Sequence, residues 1–147
     1  MLPALRILIG LVLLLSGLEK SISPYQNFLY VVQAYQMLPS WAEHLVAMVL
    51  PWFELLVGLM MVLGVWTMWA LKLSMLCFGM FVVVVGQALW RGLPLDQCGC
   101  FGQWLHVLPQ TIIVFDSVIM VLLVVLQRQY AATSRFSLDA LFNQKKI

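Results

Sequence analysis

Charge is what this chain of 147 residues has least of: Lys, Arg, Asp and Glu make up 10% of it, against 63% hydrophobic residues. A soluble domain carries about 25% charged and 45–50% apolar residues. Too little polar side chain is left to cover a water-facing surface, so a soluble globular fold is excluded and lipid must be the solvent. Base exceeds acid by only +2, and no basic run stands in the sequence, so nothing here suits nucleic acid as a partner. Internal repeats and low-complexity stretches are absent as well. The apolar runs also lack the two-residue alternation of barrel strands, which excludes a transmembrane β-barrel.

What is present are four apolar runs, each near the roughly 20 residues that a spanning helix needs. They cover about 2–18, 45–66 (with Glu54), 71–90 and 108–127 (with Asp116). Backbone groups in lipid must be satisfied within the segment, so the runs read as helices. The expected fold is all-α: a polytopic membrane protein with a four-transmembrane-helix bundle over 1–128 and a cytoplasmic amphipathic tail over 129–147. A cleaved signal peptide competes for the first run, but no small-x-small site follows it. Between the first two runs, Phe28, Val31, Val32, Tyr35 and Leu38 fall at helical spacing between Pro24 and Pro39. That pattern predicts a short interfacial helix capping the bundle, with a substrate-contacting lid as the other reading.

Basic residues set the orientation. Arg6, Lys72, Arg128, Arg135, Lys145 and Lys146 fall on the side of the two termini, and Lys20 and Arg91 on the other. Both termini are therefore expected in the cytoplasm, and the connections 19–44 and 91–107 on the extracytoplasmic side. Cys98 and Cys100 lie in that connection, one glycine apart, on the side where disulfides persist. A strained, exposed disulfide is of the labile, exchanging kind, and Gly99 relieves part of the strain of so small a ring. A nearby helix N-terminus at Pro109, together with His106 and Arg91, favours thiolate there, and Asp96 opposes it. Two plainer readings remain: a static staple, or a metal site. For the latter only His44 and His106 are at hand, and the chain has no second cysteine pair. Cys77 lies about 20 Å below Arg91 along its helix, outside disulfide reach, and is expected to be inert packing.

The intramembrane acids carry the other signal. A charge at depth costs about 2.5–3.5 kcal/mol even on permissive insertion scales, so it faces the bundle and finds a partner. Lys20 is the expected partner of Glu54, in a structural pair or a proton-handling or quinone site. Asp116 is expected at a similar depth, and Arg6 is expected to snorkel to lipid phosphates.

With these residues in view, the chain resembles the DoxX/MauE superfamily. "RILIGLVLLLSGLEK" is similar to the opening helix of that group, "FLYVVQAYQMLPSW" followed by "LPWFELLVGLMMVLG" to its second span, and "LDQCGCFG" to the loop of the MauE branch. The likeness covers about residues 5–127. It implies an inner-membrane four-helix protein that acts with a thioredoxin-like partner in maturing the disulfide-rich small subunit of methylamine dehydrogenase. By position it makes Cys98 and Cys100 the redox pair and Lys20 and Glu54 the polar signature, and it gives Asp116 no role. The favoured reading is a membrane thiol–disulfide relay in contact with a periplasmic thioredoxin-like protein. Onward electron transfer then needs a quinone or a second thiol carrier. The alternatives are a non-enzymatic scaffold for a maturation factor and a metal-handling protein.

Overall fold

The computed structural model describes residues 2–93 and 109–129. Among the described residues five helices follow one another: α1 (Leu2–Ile22), α2 (Tyr25–Ala34), α3 (Ser40–Leu63), α4 (Thr67–Trp90) and α5 (Pro109–Arg128). All but α2 are long and apolar enough to cross a membrane. The class is the expected one, an all-α bundle of four spans with a short helix between the first two. The tail from residue 130 onward lies outside the described residues.

Helix ends follow backbone chemistry more than hydropathy. Pro39, extended at ψ 151, starts α3, and its carbonyl accepts the Ala42 and Glu43 amides at 2.8 and 3.1 Å. The second span therefore begins five residues before its apolar run. Counted from Ser40, Glu54 lies about 21 Å along the axis at about 1.5 Å per residue, near the middle of the helix. At the far end Gly64 turns left-handed at φ 68, which a residue without Cβ adopts freely. Its amide and that of Val65 both donate to the Met60 carbonyl, at 2.9 and 3.2 Å, and the chain reverses directly into α4.

The interface of α1 with α3 is built on glycine. A Cβ placed on Gly17 would lie 2.8 Å from the Pro51 carbonyl oxygen and 2.9 Å from the Leu55 nitrogen. One on Gly58 would lie 2.8 Å from the Leu14 nitrogen and 2.9 Å from the Gly10 oxygen. Backbone meets backbone here, the close approach that small residues permit where lipid supplies no hydrophobic drive between helices. On α3 the buried face reads Ala47, Pro51, Glu54, Gly58 and Met61, one stripe at helical spacing. Pro51 lacks an amide for the Ala47 carbonyl, and its own carbonyl is the atom against Gly17.

α4 packs antiparallel on α5. Gly86 meets Ile113 and Gly79 meets Met120, both at ordinary contact distance, a register that puts Asp116 opposite the α4 turn carrying Phe81 and Val84. The main core gathers Leu13, Val57, Met61, Leu71, Phe78 and Leu123 from the four spans. A second cluster joins Tyr35, just past α2, to Val85, Ala88 and Ile112. Arg91 Nη1 donates to the Gln36 carbonyl at 3.3 Å, tying the two longer connections together at one end of the bundle. Trp41 and Trp90 are exposed at that end and Trp66 and Trp69 at the opposite one, the two levels at which tryptophan anchors a span.

Because the Gly17 and Gly58 clashes are with backbone, Gly17→Leu or Gly58→Leu is expected to cost at least the about 1–3 kcal/mol typical of overpacking. Thermal unfolding of the purified protein in detergent should show both midpoints falling, with Gly79→Ala unchanged as the control.

Candidate functional site

Ser16 and Lys20 stand four residues apart on α1, on the face that Gly17 brings against α3. Glu54 projects from α3 into the same space. The Lys20 side chain reaches back toward the membrane centre, and Nζ donates to Glu54 Oε1 at 2.7 Å, Glu54 Oε2 at 2.8 Å and Ser16 Oγ at 2.9 Å. Ser16 Oγ in turn donates to Glu54 Oε2 at 3.0 Å. All three ammonium protons thus have acceptors, and the pair is closed off, at 1% and 0% side-chain exposure. The rings of Phe81 and Phe28 stand 5.0 and 5.2 Å from Nζ and complete the shell. The expected Lys20–Glu54 pair is formed, with Ser16 as a third member.

Asp116 of α5 is 2% exposed, and its Oδ2 has no hydrogen-bond partner among the described residues. Lys20 and Glu54 are the charges that act on it. The three groups are thus electrostatically linked, and the buried Glu19 of α1 also acts on Glu54. Cys77 is buried in the core and feels the same two charges. It is a free thiol enclosed by packing, as expected of an inert residue.

Two features correct or extend the sequence reading. Arg6 does not reach out to lipid phosphates: its side chain is wholly buried inside the protein. Position along one helix does not show what neighbouring helices cover. The end that carries α2 has a polar mouth that local sequence does not signal. There Ser23 Oγ donates to Glu19 Oε1 at 3.1 Å, and the Tyr25 hydroxyl and His44 Nδ1 share a hydrogen bond of 2.8 Å. Ser16 was findable, since it lies one turn from Lys20 on the same face. Tyr25 and His44 are nineteen residues apart, and no local signal joins them.

Next to the charged cluster is an apolar cavity of about 310 Å³ between α2, α3 and α4. Its walls include Phe28, Tyr35, Leu50, Met80, Phe81 and Val84, and no charged residue lines it. Two of these, Phe28 and Phe81, are the rings that cover the Lys20 ammonium. Cys98, Cys100 and His106 lie outside the described residues. The helices on either side, α4 ending at Trp90 and α5 starting at Pro109, anchor their connection at the end of the bundle that bears α2. Among the described residues no group of three or more His, Cys, Asp or Glu side chains is arranged to hold a metal ion.

A four-span helical membrane protein with an internal lysine–carboxylate cluster is the class these features define. Within it, the chain matches the family of methylamine utilisation protein MauE over residues 1–128 and belongs to that family. No curated protein and no solved structure matches it.

Because a half-broken buried pair strands a charge in lipid, Lys20→Met or Glu54→Met alone is expected to cost about 3–5 kcal/mol. The joint Lys20→Met/Glu54→Met variant should recover most of that loss in detergent unfolding titrations. If the double variant is no better than the singles, the cluster does more than balance its own charge.

Proposed function

We propose that this protein is a thiol–disulfide carrier of the bacterial inner membrane that supports maturation of disulfide-containing proteins outside the cytoplasm. The family's link to methylamine utilisation makes a methylamine dehydrogenase subunit the leading client. The observation that carries the reading is the Cys98–Gly99–Cys100 sequence in the connection between the last two spans. The distribution of Lys and Arg supports both termini in the cytoplasm and this connection in the periplasm.

The chemistry is exchange through a mixed disulfide. A thiolate of a soluble thioredoxin-like partner attacks the Cys98–Cys100 disulfide, forming one intermolecular S–S bond and releasing one thiolate on this chain. The partner's second thiolate then attacks its own sulfur in that bond, leaving the partner oxidised and Cys98 and Cys100 as two thiols. Two electrons and two protons have then moved onto this chain. Cys100 is nearer the start of α5, whose amides favour a thiolate, and His106 adds to that effect if protonated. Having no second cysteine pair of its own, the chain passes these electrons to another carrier. The Lys20–Glu54–Asp116 cluster supports the reading as a set of proton-carrying groups inside the bundle.

Single Cys98→Ser and Cys100→Ser variants, expressed with the native partner set and quenched with acid, should differ. One should accumulate a mixed disulfide visible as a reductant-sensitive band on non-reducing gels, and the other should not. Full client maturation in cells carrying Cys98→Ser/Cys100→Ser would leave a scaffold role in place of the relay.

A further inference from the structure

Among the described residues the walls of the cavity beside α2 carry one side-chain hydroxyl, that of Tyr35, and no charge. Phe28 and Phe81 border both this cavity and the Lys20 ammonium, whose three protons are already accepted by Glu54 and Ser16. A polar ligand would give up water there and gain almost no hydrogen bonds in return. The space of about 310 Å³ therefore suits hydrocarbon, and it is too small for a partner helix about 10–12 Å across. It is not sealed. Met37 and Leu38, just past α2, are 37% and 41% exposed, and Met80 of α4 is 44% exposed. The cavity thus meets the surface both at the end of the bundle and on the flank of a spanning helix. Its rim carries a cation. Arg91 Nη1 donates to the Gln36 carbonyl, the group bonded to the nitrogen of the wall residue Met37. That bond uses one of the five guanidinium N–H donors. Of the two Lys and Arg residues at this end, Lys20 is closed off in its ion pair and Arg91 is exposed.

We infer that the cavity holds one acyl chain of a phospholipid from the leaflet at the α2 end, with the lipid phosphate on Arg91. Length and charge choose this occupant. Arg91 follows Trp90, which with Trp41 marks the interface at this end. From Arg91 to Met80, the cavity residue of α4 farthest from it, is about 16 Å at about 1.5 Å per residue. One leaflet of a hydrocarbon core about 30 Å thick is about 15 Å deep. A chain anchored at Arg91 thus ends beside Met80. The planar guanidinium pairs with phosphate through parallel hydrogen bonds, and the Gln36 carbonyl holds it at the rim. Burial alone does not favour the cavity over the bilayer, since both are apolar, so the phosphate contact is what makes the site selective. A seated chain packs on Phe28 and Phe81, the rings beside the ammonium, and so holds α2 over the Lys20–Glu54 pair.

The site does not involve the thiols, and its test is separate from theirs. Purified full-length protein is stripped of lipid in detergent and titrated with dioleoyl-phosphatidylglycerol, bound lipid being counted by native mass spectrometry. One lipid should bind saturably and raise the unfolding midpoint. Arg91→Gln should raise the apparent Kd about tenfold or more, and Arg91→Lys, which keeps the charge, should recover most of that loss. Lys72→Gln, beside Trp69 at the opposite end, should leave the affinity unchanged. Val84→Trp, which fills the cavity, should abolish the lipid-dependent rise in midpoint. Its own midpoint and gel-filtration profile are checked without lipid. Dioctanoyl-phosphatidylglycerol, whose chains are too short to reach Met80, probes the cavity with no substitution and should bind about tenfold more weakly or worse. Equal affinity of the unaltered protein and Arg91→Gln, or of the long- and short-chain lipids, would overturn the proposal. So would displacement of the lipid by an equal concentration of decylubiquinone, or binding that rises without saturation.

Discussion

The register of the first two long helices is set by a buried ion pair, Lys20 with Glu54. Lys20 and Glu54 are both closed off from solvent and meet at 2.7 Å. In an apolar medium neither charge is tolerable alone, and with Ser16 supplying a third acceptor the ammonium is fully satisfied. The pair can form only if α1 and α3 lie close and in one register, so it selects that register over neighbouring ones. Sliding α1 by one turn past α3 would separate the charges by about 5.4 Å and leave both in a low dielectric.

The glycine contacts serve the same register from the other direction. Gly17 lies between Ser16 and the turn ending at Lys20, and the Pro51 carbonyl fills the space where its side chain would be. Gly10 and Gly58 face each other two turns further along. The close approach they permit lets the Lys20 side chain reach one turn along α3 without crossing lipid. α2 then closes the same end, burying Phe28 over the ammonium and Tyr35 against α4 and α5. Packing and electrostatics thus converge on one place, where the charged cluster and the cavity adjoin.

Much of this was readable from local features. The four apolar runs give four spans because a spanning helix satisfies its own backbone, and Pro24 and Pro39 mark the starts of α2 and α3. The Lys20–Glu54 pairing followed from scarcity: an acid within an apolar stretch needs a cation, and few were near. What the sequence could not give were facts that depend on which helix covers which. Arg6 is wholly enclosed, although its position near a helix end argued for lipid phosphates. The Tyr25–His44 contact spans a connection. The helix of Glu54 begins before its apolar run, because a proline and not a change of hydropathy starts it.

By itself, then, the sequence determined the class of protein, the number of spans and that Lys20 and Glu54 must face inward and pair. Each of those follows from the cost of placing polar groups in hydrocarbon, a cost incurred residue by residue. Only the tertiary structure decided that Ser16 completes the Lys20–Glu54 pair and that Asp116 of the last span lies within their field. It also decided that Phe28 and Phe81 border both the ammonium and an apolar cavity. These are matters of interhelical rotation and register, set by glycine contacts and by the seat of α2, and no single stretch of chain encodes them.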